Sequence, residues 1–395
     1  MNLKELALSL GIESYPAELE KIYKSLPADD GLIYSEKYLA ELNEKYDLLG
    51  EYFECVAEGA RDIKNKENLL LWIRLGYEYC KDVSSYEARK FPIPAHDGSP
   101  ARNMFAPLLL IREIPDAVKR YEKLGLTDAQ IKKNLGNIKI NLWVHEITAG
   151  YPSLSQGLYN WLTLYTKALI VDHKGFNYQP HSWMHDSMVL KNKKSGECVI
   201  VMTSGVFHKD GLFLGSAGIT EEEGSFKVEF NEYTDMIFAH PVKNGRVQPK
   251  IEKFDKSEWK VVLRRGDDVI SLHIPRNTNL DPDYVSESFK EGCELVKKLY
   301  PDRSFKCLMC NSWLMEPKLV EILGPDAKLS KFTTRFAKHP IKDTAGAGCL
   351  GYVWPGEKCP IEERSERTTL QRGIKKLMLD GSFILGTAGI ILEDL

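Results

Sequence analysis

The sequence predicts an α+β (mixed α/β) protein, in which an all-helical N-terminal domain precedes a domain built on a mostly antiparallel sheet. Three observations support this prediction: helical spacing of apolar residues in the first third, alternation and tight turns after Asp172, and a strand, helix and strand between Val269 and Met315. At 395 residues the chain is longer than one ordinary core, and 43% hydrophobic residues suffice for two. We expect one domain over residues 1–150 and a second over residues 151–395.

The first domain is predicted from apolar residues that recur at spacings of three and four, such as Leu3, Leu6 and Leu10. Further helices are expected at about 69–80, 117–124, 127–144 and 156–170. Thr127 and Gln130 have the spacing of a capping box, which indicates a helix start. Gly150 to Pro152 supplies a joint between the two domains.

Tight turns punctuate the second domain. Asn244-Gly245 is expected to join two strands, and Arg265 to Asp268 is expected to join strands at 259–263 and 269–274. Because strands joined by such short turns usually pair as hairpins, the sequence predicts an antiparallel meander.

A long helix follows the last strand of this meander. Asp281 is a candidate N-cap, Pro282 fits the first helical position, and apolar residues form a stripe up to Leu299. The next strand is predicted at 305–310. The connection has about the thirty residues that are typical of a right-handed crossover between parallel neighbours.

Charge and cysteine usage exclude several classes of protein. The chain has 53 basic and 56 acidic residues, a net charge of -3 and no basic cluster, so we expect no nucleic-acid partner. Eight scattered cysteines, without an apolar leader at the start, predict reduced thiols in the cytoplasm. No apolar run approaches the roughly 18 residues of a membrane span, so we expect no membrane partner.

Several motifs in the second half of the chain belong together. They are His273-Ile274-Pro275, Leu280-Asp281, Cys310-x-Ser312-Trp313-Leu314 with Pro317 and Leu323, Phe332, Phe336, Thr368 to Arg372, Gly381, Gly386, Gly389 and Ile390. This set resembles the C-terminal domain of a bacterial group of acyltransferase-domain proteins, which is described as GNAT-like. The helical first third likewise resembles the N-acyltransferase N-terminal domain that accompanies it.

The resemblance implies a GNAT-like sheet whose central parallel strands splay apart and take up an acyl-CoA co-substrate. In this sequence the two strands would end at Ile274 and Cys310. The implied activity is transfer of the acyl group to an amine of a small molecule or peptide.

The resemblance also implies where the co-substrate is bound. The implied binding residues are Ile274, Arg276, Asn277 and Thr278. The loop from Arg276 to Leu280 has no glycine, so its backbone approaches phosphate less freely than in most GNAT proteins. Asp281 and Asp283 also place negative charge at the helix start, which repels phosphate.

Three side chains at the strand ends are candidates for catalysis. His273 is the candidate base, because a neutral imidazole accepts a proton near pH 7. Ser312 is a candidate proton donor to the leaving thiolate, and Cys310 is a candidate acyl-accepting nucleophile. Each also has a structural interpretation: His273 organises the turn before Pro275, Cys310 is a buried thiol, and Ser312 caps a helix.

Two clusters have spacings that suggest a metal, although we expect none. They are Cys307-x2-Cys310 with Cys349 and Cys359, and His181-x3-His185 with Asp186 and His173. The second cysteine pair is too widely spaced for a zinc knuckle, and the first lies on a predicted strand. The residues around the histidines are typical of strands, so the histidines do not share a helix face.

Three functions therefore stay open. The leading prediction is an acyl-CoA-dependent N-acyltransferase that transfers directly to an amine. One alternative is a non-catalytic GNAT-like binding module that has lost its phosphate loop. Another is a metal-dependent hydrolase that uses the cluster at His181 and His185.

Overall fold

The computed structural model describes residues 1–392, and the chain divides into two compact units between Asp172 and His173. The division falls later than the expected joint at Gly150. That glycine ends a helix with a left-handed φ of 93°, and the following helix, Gln156–Thr166, still belongs to the first unit. Gly150 to Pro152 is therefore part of a connection between two helices of one unit.

The first unit is helical, as predicted. Its helices are α1 (Leu3–Ser9), α2 (Leu19–Lys24), α3 (Glu36–Tyr46), α4 (Phe53–Ile63), α5 (Glu67–Cys80), α6 (Ser85–Ala88), α7 (Pro100–Asn103), α8 (Phe105–Arg112), α9 (Ile114–Leu124), α10 (Asp128–Leu135), α11 (Asn137–Ala149) and α12 (Gln156–Thr166). The capping box of Thr127 and Gln130 is present at the start of α10. The single helix predicted over 127–144 is wrong: Gly136 separates α10 from α11, and the Asn137 amide donates to the carbonyl of Asn134.

The core of the first unit surrounds α8, whose residues from Phe105 to Ile111 are all buried. Trp72 of α5 stacks on Phe91, with ring centroids 5.4 Å apart. A buried ion pair between Lys167 and Glu113, 2.9 Å apart, lies in the same unit.

Up to residue 392, the second unit combines fifteen strands with five α-helices, the first strand straddling the division between the units. The strands are β1 (Val171–His173), β2 (Phe176–Ser182), β3 (Ser187–Asn192), β4 (Cys198–Met202), β5 (Val206–Phe207), β6 (Phe226–Lys227), β7 (Asn231–Glu232), β8 (Met236–Lys243), β9 (Arg246–Val247), β10 (Glu252–Asp255), β11 (Trp259–Leu263), β12 (Asp268–His273), β13 (Leu308–Ser312), β14 (Ala337–Pro340) and β15 (Thr387–Ile391). The helices are α13 (Pro282–Leu299), α14 (Lys318–Leu323), α15 (Lys328–Thr333), α16 (Leu350–Val353) and α17 (Thr369–Leu379).

One sheet carries the predicted parallel pair at its centre. Its strands follow the order β1-β2-β12-β13-β15-β14. β12 and β13 are parallel, whereas β2 with β12, β13 with β15 and β15 with β14 are antiparallel. The mixed, mostly antiparallel sheet and the crossover through α13 are thus confirmed.

A second sheet has the order β10-β8-β4-β3-β11. The predicted hairpin around Arg265 to Asp268 is wrong, because β11 pairs with β3 of this sheet whereas β12 pairs with β2 of the other. The turn is a corner between two sheets. Turn residues favour a reversal of the chain but do not decide which strand becomes the neighbour.

The central sheet is covered on both faces. On one face α13 packs closely, because Gly292 brings the helix backbone against the ring of Tyr178. On the other face, Val269 and Met309 share a buried cluster with Val189 and Leu263 of the second sheet. All eight cysteines of the chain are free thiols. No helix within residues 1–392 combines the length and apolar character needed to cross a membrane.

Candidate active site

A gap opens between β12 and β13 at their carboxyl ends. The two strands pair only through Ile270 with Leu308 and Ser271 with Met309. Beyond these two rungs, β12 stays paired with β2 to its last residue, and β13 stays paired with β15. Because β12 stays paired with β2 and β13 stays paired with β15, no strand fills the space between the carboxyl ends of β12 and β13. This is the splay that the sequence predicts.

The strand ends present different side chains to the two faces of the sheet. Leu272 and Cys310 belong to the buried cluster under α13, whereas Met309 belongs to the cluster against the second sheet. Since neighbouring residues in a strand alternate, His273 and Asn311 face the second sheet. At the strand ends, His273 and Asn311 therefore lie on one face of the sheet, and Leu272 and Cys310 lie on the other.

His273 ends β12 and is half-buried. Its Nε2 lies 3.0 Å from Oε1 of Gln179 on β2, so this nitrogen donates a proton to the amide oxygen. The hydrogen bond fixes the ring beside the gap. The structure places His273 where the sequence predicts it, and its role as a base stays a prediction.

Cys310 and Ser312 lie on the other side of the gap. The Cys310 thiol is 1% exposed, and burial raises its pKa to about 12, so it is protonated near neutral pH. The Ser312 hydroxyl accepts a hydrogen bond from the backbone N–H of Leu314 at 3.1 Å and thereby caps a short 3-10 turn. Both placements match the structural interpretations, and the catalytic roles stay predictions.

The loop after β12 compensates for its missing glycine. Asn277 has a left-handed φ of 64°, a conformation that asparagine adopts more readily than most residues. The Thr278 hydroxyl lies 2.7 Å from the carbonyl of Pro275 and 2.9 Å from that of Gly175, and so holds the loop. Ile274, the first residue of this segment, packs against the cluster under α13.

The negative charge at the start of α13 is partly neutralised by two cationic side chains. Lys328 lies 2.6 Å from Asp281, and this contact lowers the pKa of the Asp281 carboxyl. Arg335 donates to the carbonyl of Pro282 and to the hydroxyl of Ser286, both at 2.8 Å. Two cationic side chains thus border the first turn of the helix. They offset the repulsion of phosphate that the acidic residues alone would cause.

An exposed tyrosine connects the loops that follow the two central strands. Tyr352 of α16 is 58% exposed. Arg276, just after β12, lies over its ring at 5.9 Å and donates to its backbone carbonyl at 3.1 Å. Trp313, just after β13, has its ring 6.2 Å from the same tyrosine. Tyr352 therefore contacts a residue that follows each of the two central strands.

Neither of the two candidate metal clusters comes together. His181 lies in β2 and His185 in the loop before β3, and Cys307 and Cys310 face opposite sides of their sheet. Residues 1–392 hold no group of three histidine, cysteine or acidic side chains that is able to bind a metal ion.

A different contact involves His185. Its Nε2 lies 3.1 Å from Nδ2 of Asn311, at the end of β13. The ring also packs against Trp183 and His339, at centroid distances of 4.7 Å and 4.9 Å. The sequence alone does not predict this pair or the contact between Arg276 and Tyr352. Strand alternation alone would have put Asn311 on the same face as His273.

Comparisons with known proteins agree with this geometry. Residues 37–168 match the family model of the N-acyltransferase N-terminal domain. Residues 227–391 match the model of the GNAT-like C-terminal domain. A comparison with curated proteins gives no match.

Three solved structures of similar fold are described as acyltransferases. One, in complex with decanoyl-CoA and teicoplanin, has a TM-score of 0.68 at 13% identity over 99% of both chains. Another, with CoA and 10C-teicoplanin, has the same TM-score and identity over 100% of both chains. A third, with decanoyl-CoA, has a TM-score of 0.66 at 14% identity over 99% of both chains. At such low identity the likeness establishes the fold.

Proposed function

Because the chain carries an N-acyltransferase N-terminal domain followed by a GNAT-like C-terminal domain, we propose that it is an acyl-CoA-dependent N-acyltransferase. The observation that carries this proposal is the gap between β12 and β13, where the parallel ladder ends after two rungs. The strand ends there carry His273 and Asn311 on one face and Leu272 and Cys310 on the other, so a thioester and an amine would meet both polar and apolar side chains.

The residues after β12 suit the phosphates of CoA. Arg276, Asn277 and Thr278 would lie along them, and Lys328 and Arg335 would contribute positive charge near the N-terminus of α13. The arm that carries the thioester would run into the gap, with the acyl chain against the apolar face. Acyl-CoA is thus the co-substrate, and the proposed chemistry needs no metal.

The reaction is direct attack of the amine on the thioester carbonyl. A C–N bond forms, the C–S bond breaks, and the amine loses a proton while the CoA thiolate gains one. The backbone N–H of Ile274 is the candidate donor to the developing oxyanion, since Pro275 has no N–H. The high pKa of Cys310 favours this ternary-complex route over an acyl-cysteine intermediate.

The acceptor is proposed to be an amine on a small molecule or a peptide. Two solved structures of the same fold contain teicoplanin or its 10C form, which supports a bulky polar acceptor. Free thiols on all eight cysteines suit the cytoplasmic compartment that the sequence predicts.

Equilibrium binding of decanoyl-CoA to the whole protein tests this proposal. We expect saturable binding, and we expect CoA release to increase when teicoplanin or glucosamine is added as the amine. Binding of neither decanoyl-CoA nor CoA at millimolar concentration would refute it. The alternative, a non-catalytic GNAT-like binding module, predicts that no thiol is released in the presence of any amine.

A further inference from the structure

A groove with cationic walls lies on the second unit, away from the gap. Its volume is about 670 Å³. The lining includes four cationic side chains, which are Lys191, Lys260, Arg264 and Lys306. These residues are far apart in the chain, so the sequence shows no basic cluster, and the folded second unit brings them together.

The groove lies at the opposite end of β12 and β13 from the gap. Arg264 and Asp267 line it just before β12 begins, and Lys306 lines it just before β13 begins. The gap, in contrast, opens where the two strands end. Because β12 extends over roughly 16 Å, the groove is a separate site from the loop that follows β12.

Two of the lysines face each other across neighbouring strands. Lys260 of β11 is directly opposite Lys191 of β3. Directly opposite residues project from the same face of a sheet, and like charges in such a pair repel each other. By strand alternation this is also the face of Val189 and Val262, which pack between the two sheets. The fold therefore places two positive charges together at a cost in stability.

The carboxylates near the groove do not balance its positive charge. Asp267 is the one acidic residue of the lining, so the four cations exceed it by three charges. Asp268 lies nearby but pairs with Arg303 at 2.6 Å. Within residues 1–392, the three lysines of the groove form no ion pair with a carboxylate. The groove is therefore charged and open to an anion from solution.

We infer that this groove binds a small polyanion, a molecule whose linked phosphate or carboxylate groups match the excess of three positive charges. The volume is in the range of small-molecule sites. Val262 and Leu392 add an apolar wall for the carbon skeleton of such a ligand.

Binding should also stabilise the central sheet. A polyanion that contacts both Arg264 and Lys306 would join the segments that lead into β12 and β13. Because the ligand binds the folded protein, the melting temperature should increase with its concentration. This inference does not depend on the proposed acyl transfer, since the groove is separate from the gap.

Titration calorimetry of the whole protein with pyrophosphate, citrate and sulfate tests the inference. We expect saturable binding of pyrophosphate or citrate, and weaker binding of sulfate, because linked charges contact several lysines at once. The stronger of the two polyanions identifies phosphate or carboxylate as the preferred group. A triple variant, Lys191→Gln with Lys260→Gln and Lys306→Gln, should bind the polyanion roughly tenfold more weakly. Its Tm without ligand should be no lower than that of the wild type, because the repulsion between the opposed lysines is removed.

A second triple variant is the matched control. Lys227→Gln with Lys250→Gln and Lys358→Gln removes the same charge from exposed lysines of the same unit, and it should bind the polyanion as the wild type does. Glu393→Gln with Asp394→Gln removes the acidic residues that follow β15 in the sequence. This change should leave the affinity unchanged or increase it, since two negative charges are lost.

Four results would overturn the inference: no binding of either polyanion at millimolar concentration, sulfate binding as tightly as the polyanions, equal losses in the two triple variants, or weaker binding after Glu393 and Asp394 are replaced. The titration is repeated with decanoyl-CoA at saturation, because CoA also contains a pyrophosphate. Displacement by decanoyl-CoA would overturn the separate site, and binding of both together supports it. A protein that binds the polyanion but not decanoyl-CoA would keep this inference and lose the proposed function.

Discussion

The ammonium group of Lys328 lies 2.6 Å from the carboxylate of Asp281, immediately before the first turn of α13. Asp281 occupies the N-cap position but makes no side-chain hydrogen bond to the helix. The carboxylate therefore pairs with a lysine of α15 instead of neutralising the helix N-terminus. This leaves the positive end of the helix dipole available to an anion.

Lys328→Ala should weaken CoA binding by roughly two- to fivefold, because it removes a cation and leaves Asp281 unneutralised near the phosphates. Titration calorimetry with CoA at low and high salt measures this effect, which should shrink as salt increases. Lys331→Ala is the matched control, since Lys331 lies in the same helix and contacts Asp326. Equal losses in the two variants would argue against a phosphate site at this turn.

Cys310→Ala should retain most of the acyl transfer activity. The buried thiol has a pKa of about 12, so little thiolate exists near pH 7 to attack a thioester. Intact-mass analysis after incubation with decanoyl-CoA should detect no acylated protein. An acyl adduct that forms on the wild type and disappears in Cys310→Ala would establish the covalent route.

Gly292→Ala should destabilise the second unit by about 1–3 kcal/mol. A methyl group at this position would meet the ring of Tyr178 at 2.2 Å, and α13 would have to move away from β2. Thermal unfolding measures the loss. Gly348→Ala is the control, because nothing lies within 4 Å of a Cβ there. A Tm equal to that of the wild type would contradict the close packing.

His339 should make the fold sensitive to acid. Burial, assisted by His185, lowers its pKa from 6.5 to about 3, so below pH 6.5 the unfolded chain binds a proton that the folded chain does not. The free energy of unfolding therefore decreases as the pH falls from 6.5 towards about 3. His339→Gln should lose less Tm than the wild type between about pH 7 and pH 4.5. His208→Gln is the control, because His208 contacts Glu222 elsewhere in the second unit, and its Tm should change with pH as the wild type's does. If the Tm of His339→Gln falls as much as that of the wild type, His339 is not the source of the acid sensitivity.

The sequence predicts those helices and strands that are determined by residues close together in the chain. The helix Pro282–Leu299 matches the prediction at both ends, because proline fits the first position and an apolar stripe runs to the last turn. The capping box at Thr127 is local as well. The corner at Arg265 to Asp268 is not predicted, since the choice between a hairpin and a change of sheet depends on distant strands.

The residues of the candidate site also fall into those that the sequence predicts and those that depend on distant parts of the chain. His273 was found because a histidine at the end of a predicted strand is visible in the sequence. The pairing of Asn311 with His185 joins residues 126 positions apart, and only the assembled sheet brings them together. Likewise, the left-handed conformation of Asn277 replaces a glycine whose absence suggested a lost phosphate loop.

The two-rung ladder between β12 and β13 also bears on how the empty protein behaves. It joins the two halves of the central sheet, with β2 and β12 on one side and β13, β15 and β14 on the other. A ligand that enters the gap and hydrogen-bonds to both strand edges would act as the missing strand between the halves. Occupancy should then slow amide hydrogen exchange at Ile274 and Asn311, the next amides that face the gap, and raise the melting temperature with ligand concentration.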